Sequence, residues 1–164
     1  MATPPIPVSA LRDPWVFVAT GFGAGLIRPA PGTWGTVAGL PFVWGLALLP
    51  LPVSVALVVL AAVVGVPICG RAGERLGMKD HGGIVWDEMV GIWLTLVLLP
   101  FDWVTVLVGF AAFRAFDILK PWPVSWADRE VDGGLGVMLD DLIAGVLAGV
   151  ATFVLVSAVR LLLP

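Results

Sequence analysis

The chain has 164 residues, of which 59% are hydrophobic and 13% are charged, and its formal net charge is −3. Soluble globular domains are typically about half apolar and about a quarter charged. This composition argues against a water-soluble monomer and a long disordered region, and the scarcity of basic residues argues against nucleic acid as a partner. A membrane protein remains, or a membrane-embedded subunit of a larger assembly.

The N-terminal part of the chain contains no predicted span. Residues 1–13 lack the apolar core of a signal peptide, and we interpret them as a cytoplasmic lead-in to a single domain over residues 1–164. Residues 15–27 are uncharged but short and glycine-rich, which favours an interfacial or re-entrant helix. Residues 31–36 (PGTWGT) predict either a phosphate-cradling turn or a turn with a threonine N-cap.

Five longer apolar segments follow, bounded by prolines and charged residues. They predict helices over residues 33–49, 53–70, 84–99, 103–119 and 137–163, with polar loops at 71–83 and 120–136. We expect an all-α polytopic membrane helix bundle, with about four transmembrane helices plus the short N-terminal interfacial or re-entrant helix. Lys and Arg lie in the two polar loops and are absent from the turns between the other helices, which places the loops in the cytoplasm.

Acidic residues cluster at the cytoplasmic ends of three predicted helices. They are Asp87 and Glu88 one turn inside a helix, Asp117 in a last turn, and Asp140 and Asp141 in a first turn. Small residues follow at helical spacing, which is typical of faces where membrane helices approach closely. Clustered carboxylates stay ionised together only with a cation among them, and oxygen ligands favour Mg²⁺. Alternatively, the acids cap helix N-termini and pair with Arg114, Lys120 and Arg129.

Two further features near these acids carry chemistry. Arg114, Asp117 and Lys120 are spaced by three, so they share a helix face that can either hold a phosphate or form a local salt bridge. His81 is the only histidine and precedes Asp87 by one short segment. It can protonate a leaving group, or it can simply be a solvated loop residue.

Four motifs occur in order along the chain. They are residues 21–25 with 31–36 (GFGAG, PGTWGT), residues 81–88 (HGGIVWDE), residues 113–123 (FRAFDILKPWP) and residues 128–141 (DREVDGGLGVMLDD). In this order they resemble the phosphatidylglycerophosphatase A family of bacterial inner-membrane enzymes. The resemblance implies a Mg²⁺-dependent lipid phosphatase of glycerophospholipid synthesis, which converts phosphatidylglycerophosphate to phosphatidylglycerol. It also implies a multi-pass protein of the bacterial inner membrane, with a membrane phospholipid as substrate and the active site at the cytoplasmic face.

Other phosphatase chemistries lack their motifs in this chain. Cys69 is not in a phosphate loop, no Asp-x-Asp motif occurs, and a second histidine is missing. Metal-assisted hydrolysis remains, for which Asp87, Glu88 and His81 are the expected catalytic residues, with one acid as general base and His81 as proton donor. The hypothesis also includes a set of metal ligands and a set of phosphate-binding residues. The expected ligands of one or two Mg²⁺ ions are Asp87, Glu88, Asp117, Asp140 and Asp141. The expected phosphate-binding residues are Gly32, Thr33, Thr36, Arg114, Lys120 and Arg129.

The sequence leaves open two alternative functions, neither of which is enzymatic. The first is a small cation or proton transporter, because intramembrane acids commonly mark ion pathways. The second is a structural assembly subunit, which leaves the acid cluster unexplained.

Overall fold

The protein is an all-helical bundle. The computed structural model describes residues 4–78 and 80–162, and within them every regular element is helical, as the sequence predicts. The seven α-helices are α1 (Pro14–Ala19), α2 (Pro31–Ala47), α3 (Leu51–Leu76), α4 (Trp86–Leu96), α5 (Trp103–Leu119), α6 (Val124–Glu130) and α7 (Gly133–Leu162). Short 3₁₀ turns at Val8–Arg12 and Ala24–Leu26 flank α1.

Two helices in the described part of the chain, α3 and α7, are long and apolar enough to cross a membrane. The expected count of about four spanning helices is not confirmed. Helices α2 and α5 have 17 residues each, or about 25 Å at 1.5 Å per residue, whereas a bilayer core is about 30 Å thick. Large apolar side chains such as Trp44, Leu107 and Phe153 are nevertheless exposed on the outside of the bundle. Such a surface is typical of a membrane-associated protein.

Helix α4 is the centre of the bundle and packs against α2, α3, α5 and α7. Most of its residues are buried, because it is apolar on nearly every face beyond its first turn. It crosses α7 closely: a Cβ atom added to Gly145 would lie 2.7 Å from the carbonyl oxygen of Gly91. The Thr95 hydroxyl donates to the carbonyl oxygens of Gly91 (2.9 Å) and Gly145 (3.2 Å) at this crossing. Small residues therefore fix the distance between the two helices that carry most of the clustered acids.

Several predicted helix boundaries are wrong. Helix α3 continues to Leu76, so Arg71 and Arg75 belong to its last turns and not to a loop. Gly77 ends it in a left-handed conformation (φ 69°), and Arg75 in the last turn suits the helix dipole. Helix α6 lies within the predicted loop 120–136, and α7 begins at Gly133 instead of residue 137.

The segment 15–27 does not form one continuous helix. Three successive residues, Gly21, Phe22 and Gly23, have positive φ angles of 58°, 58° and 97°, and they separate α1 from the next 3₁₀ turn. Helix α1 is about 9 Å long, too short to cross a bilayer, and it packs along α3. At that contact Arg71 lies 4.2 Å above the Trp15 ring and Arg75 is 3.5 Å from Asp13.

Candidate active site

A polar cavity of about 180 Å³ lies where α4 and α7 begin and α5 ends. Within residues 4–78 and 80–162, its lining contains one basic side chain, Lys120, and a much larger acidic set. The acids are Asp80, Asp87, Glu88, Asp117, Asp128, Asp132, Asp140 and Asp141. The structure therefore brings all five sequence-predicted metal ligands to one cavity.

Three of these acids form the tightest group. One carboxylate oxygen each from Asp87, Glu88 and Asp141 lies within 4.8 Å of the other two. Asp87 and Asp141 are 8% and 3% exposed. Asp87 Oδ1, Glu88 Oε2 and Asp141 Oδ1 are buried and have no hydrogen-bond partner among the described residues. Since buried charges without partners are strongly unfavourable, these oxygens need a cation or protons.

The local sequence explains why these acids converge. Asp87 and Glu88 lie in the first turn of α4, one turn earlier than predicted, where the positive end of the helix dipole favours carboxylates. Asp140 and Asp141 lie about two turns inside α7, because that helix starts at Gly133. The alternative that they cap the helix N-terminus is therefore wrong. Their position inside α7 turns them toward α4 and α5.

Asp117 lies in the last turn of α5, as predicted, and forms an ion pair with Arg114 at 2.6 Å. Both side chains are mostly buried, at 14% and 13% exposure. The same Arg114 nitrogen, Nη1, donates to the Thr36 hydroxyl at 3.3 Å, while Arg114 Nε is buried without a partner among the described residues. The expected local salt bridge thus exists, and it leaves one guanidinium N–H group available.

Lys120 bridges two acids at the other side of the cavity. Its ammonium group donates to Asp140 Oδ2 at 2.7 Å and also pairs with Asp128. Partial burial acts to lower the pKa of Lys120, but its hydrogen bonds to these two carboxylates outweigh this and raise the pKa above its ordinary value. Asp140 is therefore neutralised by Lys120, unlike Asp87 and Asp141.

The turn at residues 31–36 reaches the acids from α2. The helix begins at Pro31 after Ala30, whose φ is 59°, so Thr33 is inside the first turn and the predicted threonine N-cap is wrong. A Cβ atom on Gly32 would lie 3.1 Å from Glu88 Cδ and closer still to Glu88 Oε1. The absence of a side chain at Gly32 therefore lets the carboxylate of Glu88 lie directly against the α2 backbone. The Thr36 hydroxyl donates to the Gly32 carbonyl oxygen at 2.9 Å and accepts from Arg114.

Six predicted site residues are not part of the cavity lining. Gly32 and Arg114 lie against acids of the lining, and Thr36 contacts Arg114. The other three lie farther from the acids. Thr33 is half-buried in the first turn of α2, and Arg129 is exposed on α6. His81 is buried, and its Nδ1 accepts a hydrogen bond from the Gly83 backbone N–H at 3.1 Å.

Sequence reasoning missed three other acids of the lining, namely Asp80, Asp128 and Asp132. Asp128 lies on α6, which the sequence did not predict, whereas Asp80 and Asp132 lie in the segments just before α4 and α7. No spacing pattern in the sequence connects these three acids to the cavity.

The chain is similar to known proteins over most of its length. The family model for Phosphatidylglycerophosphatase A matches residues 17–156. Phosphatidylglycerophosphatase A of Escherichia coli (strain K12) is 44% identical over 146 residues, which cover 88% of this chain and 85% of that protein. Phosphatidylglycerophosphatase A of Haemophilus influenzae is 40% identical over 151 residues, which cover 91% of this chain and 93% of that protein. No solved structure matches the chain.

Proposed function

The chain belongs to the phosphatidylglycerophosphatase A family, and we propose that it hydrolyses phosphatidylglycerophosphate to phosphatidylglycerol and phosphate with Mg²⁺ bound among its acids. It is a phosphatase of glycerophospholipid metabolism, as its relatives are named. The observation that carries the proposal is a group of buried carboxylate oxygens, from Asp87, Glu88 and Asp141, that have no hydrogen-bond partner in residues 4–78 and 80–162. The cationic side chain of Arg114 lies beside Glu88.

The donor set suits a hard divalent cation. All three groups offer oxygen, and Mg²⁺ prefers oxygen ligands at about 2.1 Å, so that two ligands of one ion are at most about 4.2 Å apart. Oxygens within 4.8 Å of one another need only small side-chain movements to reach that spacing. When bound, Mg²⁺ supplies a Lewis acid for the phosphoryl oxygen and lowers the pKa of coordinated water. Asp117 borders this group but is held by Arg114, so it fits a supporting role.

The residues around the acids can orient a phosphate monoester. Arg114 has an unused Nε–H group and is held in place by Asp117 and Thr36. Lys120 presents its ammonium group to the cavity. The first turn of α2, at Gly32, brings the positive end of a helix to the same place. These groups stabilise the negative charge of the phosphoryl group as it is transferred.

We assign the role of general base to a carboxylate of α4. Water attacks phosphorus, the bond between phosphorus and the glycerol oxygen breaks, and the water proton passes to a carboxylate. Glu88 is the better candidate, because its side chain is only half-buried while Asp87 and Asp141 are almost fully buried. The same carboxyl group can return the proton to the departing glycerol oxygen.

The distribution of charge supports a multi-pass location in the bacterial inner membrane with the site at the cytoplasmic face. The cavity lies at the end of the bundle where α3 ends with Arg71 and Arg75. Positively charged loops favour the cytoplasmic side. At the opposite end, Arg160 pairs with Asp102, which offsets the one basic residue placed outside by this topology.

The transporter alternative finds less support. Beyond Asp141, α7 packs directly against the backbone of α4. Added Cβ atoms would lie 2.7 Å from the Gly91 oxygen at Gly145 and 3.1 Å from the Thr95 oxygen at Gly149. A continuous polar pathway away from the acids would have to pass this crossing.

The test is phosphate release from phosphatidylglycerophosphate in mixed micelles by the purified protein, with and without Mg²⁺. Glu88→Gln should lower kcat by about 10²- to 10⁴-fold, the usual contribution of a general base. Glu74→Gln makes the same change at an exposed position of α3 and should leave kcat unchanged. Absence of release by the wild-type protein with any divalent cation would refute the proposed activity.

A further inference from the structure

The histidine of the HGG motif (residues 81–83) hydrogen-bonds the backbone and does not line the cavity. His81 is 4% exposed, and the cavity lining includes its neighbours Asp80 and Gly82 but not His81 itself. Its Nδ1 accepts the Gly83 N–H at 3.1 Å.

The hydrogen bond from Gly83 determines the tautomer of the neutral ring. A nitrogen that accepts an N–H group carries no proton, so the neutral ring has its single proton on Nε2. Burial lowers the pKa of His81 below its ordinary value, which favours this neutral ring. Nδ1 is therefore occupied by the backbone, and the ring lies outside the cavity lining.

The segment that His81 holds forms one wall of the cavity. Residues 80–85 run directly into the first turn of α4, and Asp80, Gly82 and Ile84 line the cavity. The Ile84 N–H donates to the His81 carbonyl oxygen at 2.7 Å, and the Val85 N–H donates to the Ala19 carbonyl oxygen at 2.8 Å. The position of this segment therefore sets where Asp87 and Glu88 begin.

The N-terminal lead-in and the glycine-rich turn pack against the same segment. Ile6 is buried, and a Cβ atom on Gly83 would lie 2.6 Å from its Cδ1 atom. A Cβ atom on Gly25 would collide with the Gly83 carbonyl group. Gly83 is thus enclosed from two sides, and the His81 ring fixes its N–H direction.

We propose that His81 is a positioning residue, which fixes the wall segment through its bond to the Gly83 N–H and does not protonate the leaving group. The proposal rests on the proposed phosphatase function. It replaces the general-acid role expected from the sequence with one in which the HGG motif sets the geometry of the acids on α4.

Two non-titrating substitutions separate the roles. Asn places its Oδ1 where His81 has Nδ1 and can accept the Gly83 N–H, whereas Gln places its polar atoms farther out, toward the position of Nε2. His81→Asn should retain kcat/KM within about threefold, while His81→Gln and His81→Ala should lose about tenfold or more, since a buried donor is left unpaired. The pH profile of kcat/KM for His81→Asn should match that of the wild type.

A general acid would give the opposite pattern. His81→Asn would then fall as far as His81→Ala, by about 10²-fold or more, and the alkaline limb of the pH profile would disappear. That result overturns the proposal. Ile6→Ala is the matched control, because it loosens the same segment and leaves the imidazole intact; it should lower kcat/KM in the same direction as His81→Ala.

A measurement that needs no substrate tests the role of His81 independently of the proposed phosphatase activity. Amide hydrogen exchange at residues 82–85 should be accelerated in His81→Ala and His81→Gln and unchanged in His81→Asn. Equal exchange in all variants would refute the positioning role even if phosphate release is normal. A wild-type protein that releases no phosphate refutes the proposed activity, and the exchange pattern still decides the role of His81.

Discussion

Gly32 offers a sharp test of the site geometry. An alanine Cβ at this position would lie 3.1 Å from Glu88 Cδ, closer still to Glu88 Oε1, and 3.3 Å from Arg114 Nη1. Non-bonded atoms prefer about 3.5–4.0 Å, so the carboxylate of Glu88 has to move by about 1 Å. A misplacement of this size at a reacting group costs about 10²-fold in rate, which corresponds to about 2.7 kcal/mol. We therefore expect Gly32→Ala to lower kcat about 100-fold.

The same substitution should leave the fold intact. The group that must move is the end of a flexible side chain, and alanine is favoured over glycine in a helix by about 1 kcal/mol. Thermal unfolding in detergent should therefore change little. Gly45→Ala is the matched control, because Gly45 lies in the same helix with no atom within 4 Å of the added Cβ. Wild-type kcat and Mg²⁺ dependence in Gly32→Ala would refute the reasoning that α2 abuts the catalytic carboxylate.

Further predictions concern the metal ligands and the far end of the bundle. Asp141→Asn changes a buried carboxylate whose Oδ1 has no hydrogen-bond partner among the residues described, and it should raise the Mg²⁺ concentration for half-maximal activity more than about tenfold. Asp140→Asn should raise it less, because Asp140 faces Lys120. Equal effects would contradict the division of roles. Asp102→Ala removes the N-cap that accepts from Thr105 N at 3.0 Å and should lower the unfolding free energy by about 1 kcal/mol without changing kcat. Arg160→Ala should shift thermal unfolding less, because its partner contact is exposed.

The convergence of the acids was predictable because strong signals fixed the ends of their helices. Pro121 and Pro123 end α5 soon after Asp117, so its place in the last turn followed from the sequence. Positively charged loops put the other acids at the same end of the bundle. The structure adds what no pattern showed, namely that Lys120 neutralises Asp140 while Asp141 Oδ1 has no hydrogen-bond partner in the described part of the chain.

The start of α7 was not predictable by the same logic. Asp132 and the three glycines in residues 133–136 favour a loop in the sequence, yet Gly133 and Gly134 are helical. Gly134 allows the start of α7 to touch the α3 backbone, since a Cβ atom there would collide with the Val66 carbonyl oxygen. Tertiary packing thus overrides the low helix propensity of glycine, which costs only about 1 kcal/mol per residue.

The surroundings of His81 were not predictable for a related reason. Its neighbours in the sequence are the acids of α4, and closeness along the chain suggested closeness in chemistry. The ring instead turns toward Gly83 and the N-terminal lead-in, which lies far away in sequence. Only the fold shows which of two nearby surfaces a loop side chain faces.

The excess of carboxylates in the cavity dictates an order of events. Among the residues that the structure describes, eight acids and one lysine line about 180 Å³, and this lysine is already shared between Asp128 and Asp140. A phosphate monoester that approaches this cavity before a cation has entered meets a field that repels it. Initial-rate kinetics should therefore show ordered addition, with the divalent cation before the lipid. Higher ionic strength should weaken the repulsion, so the preference for cation binding before lipid binding should decrease.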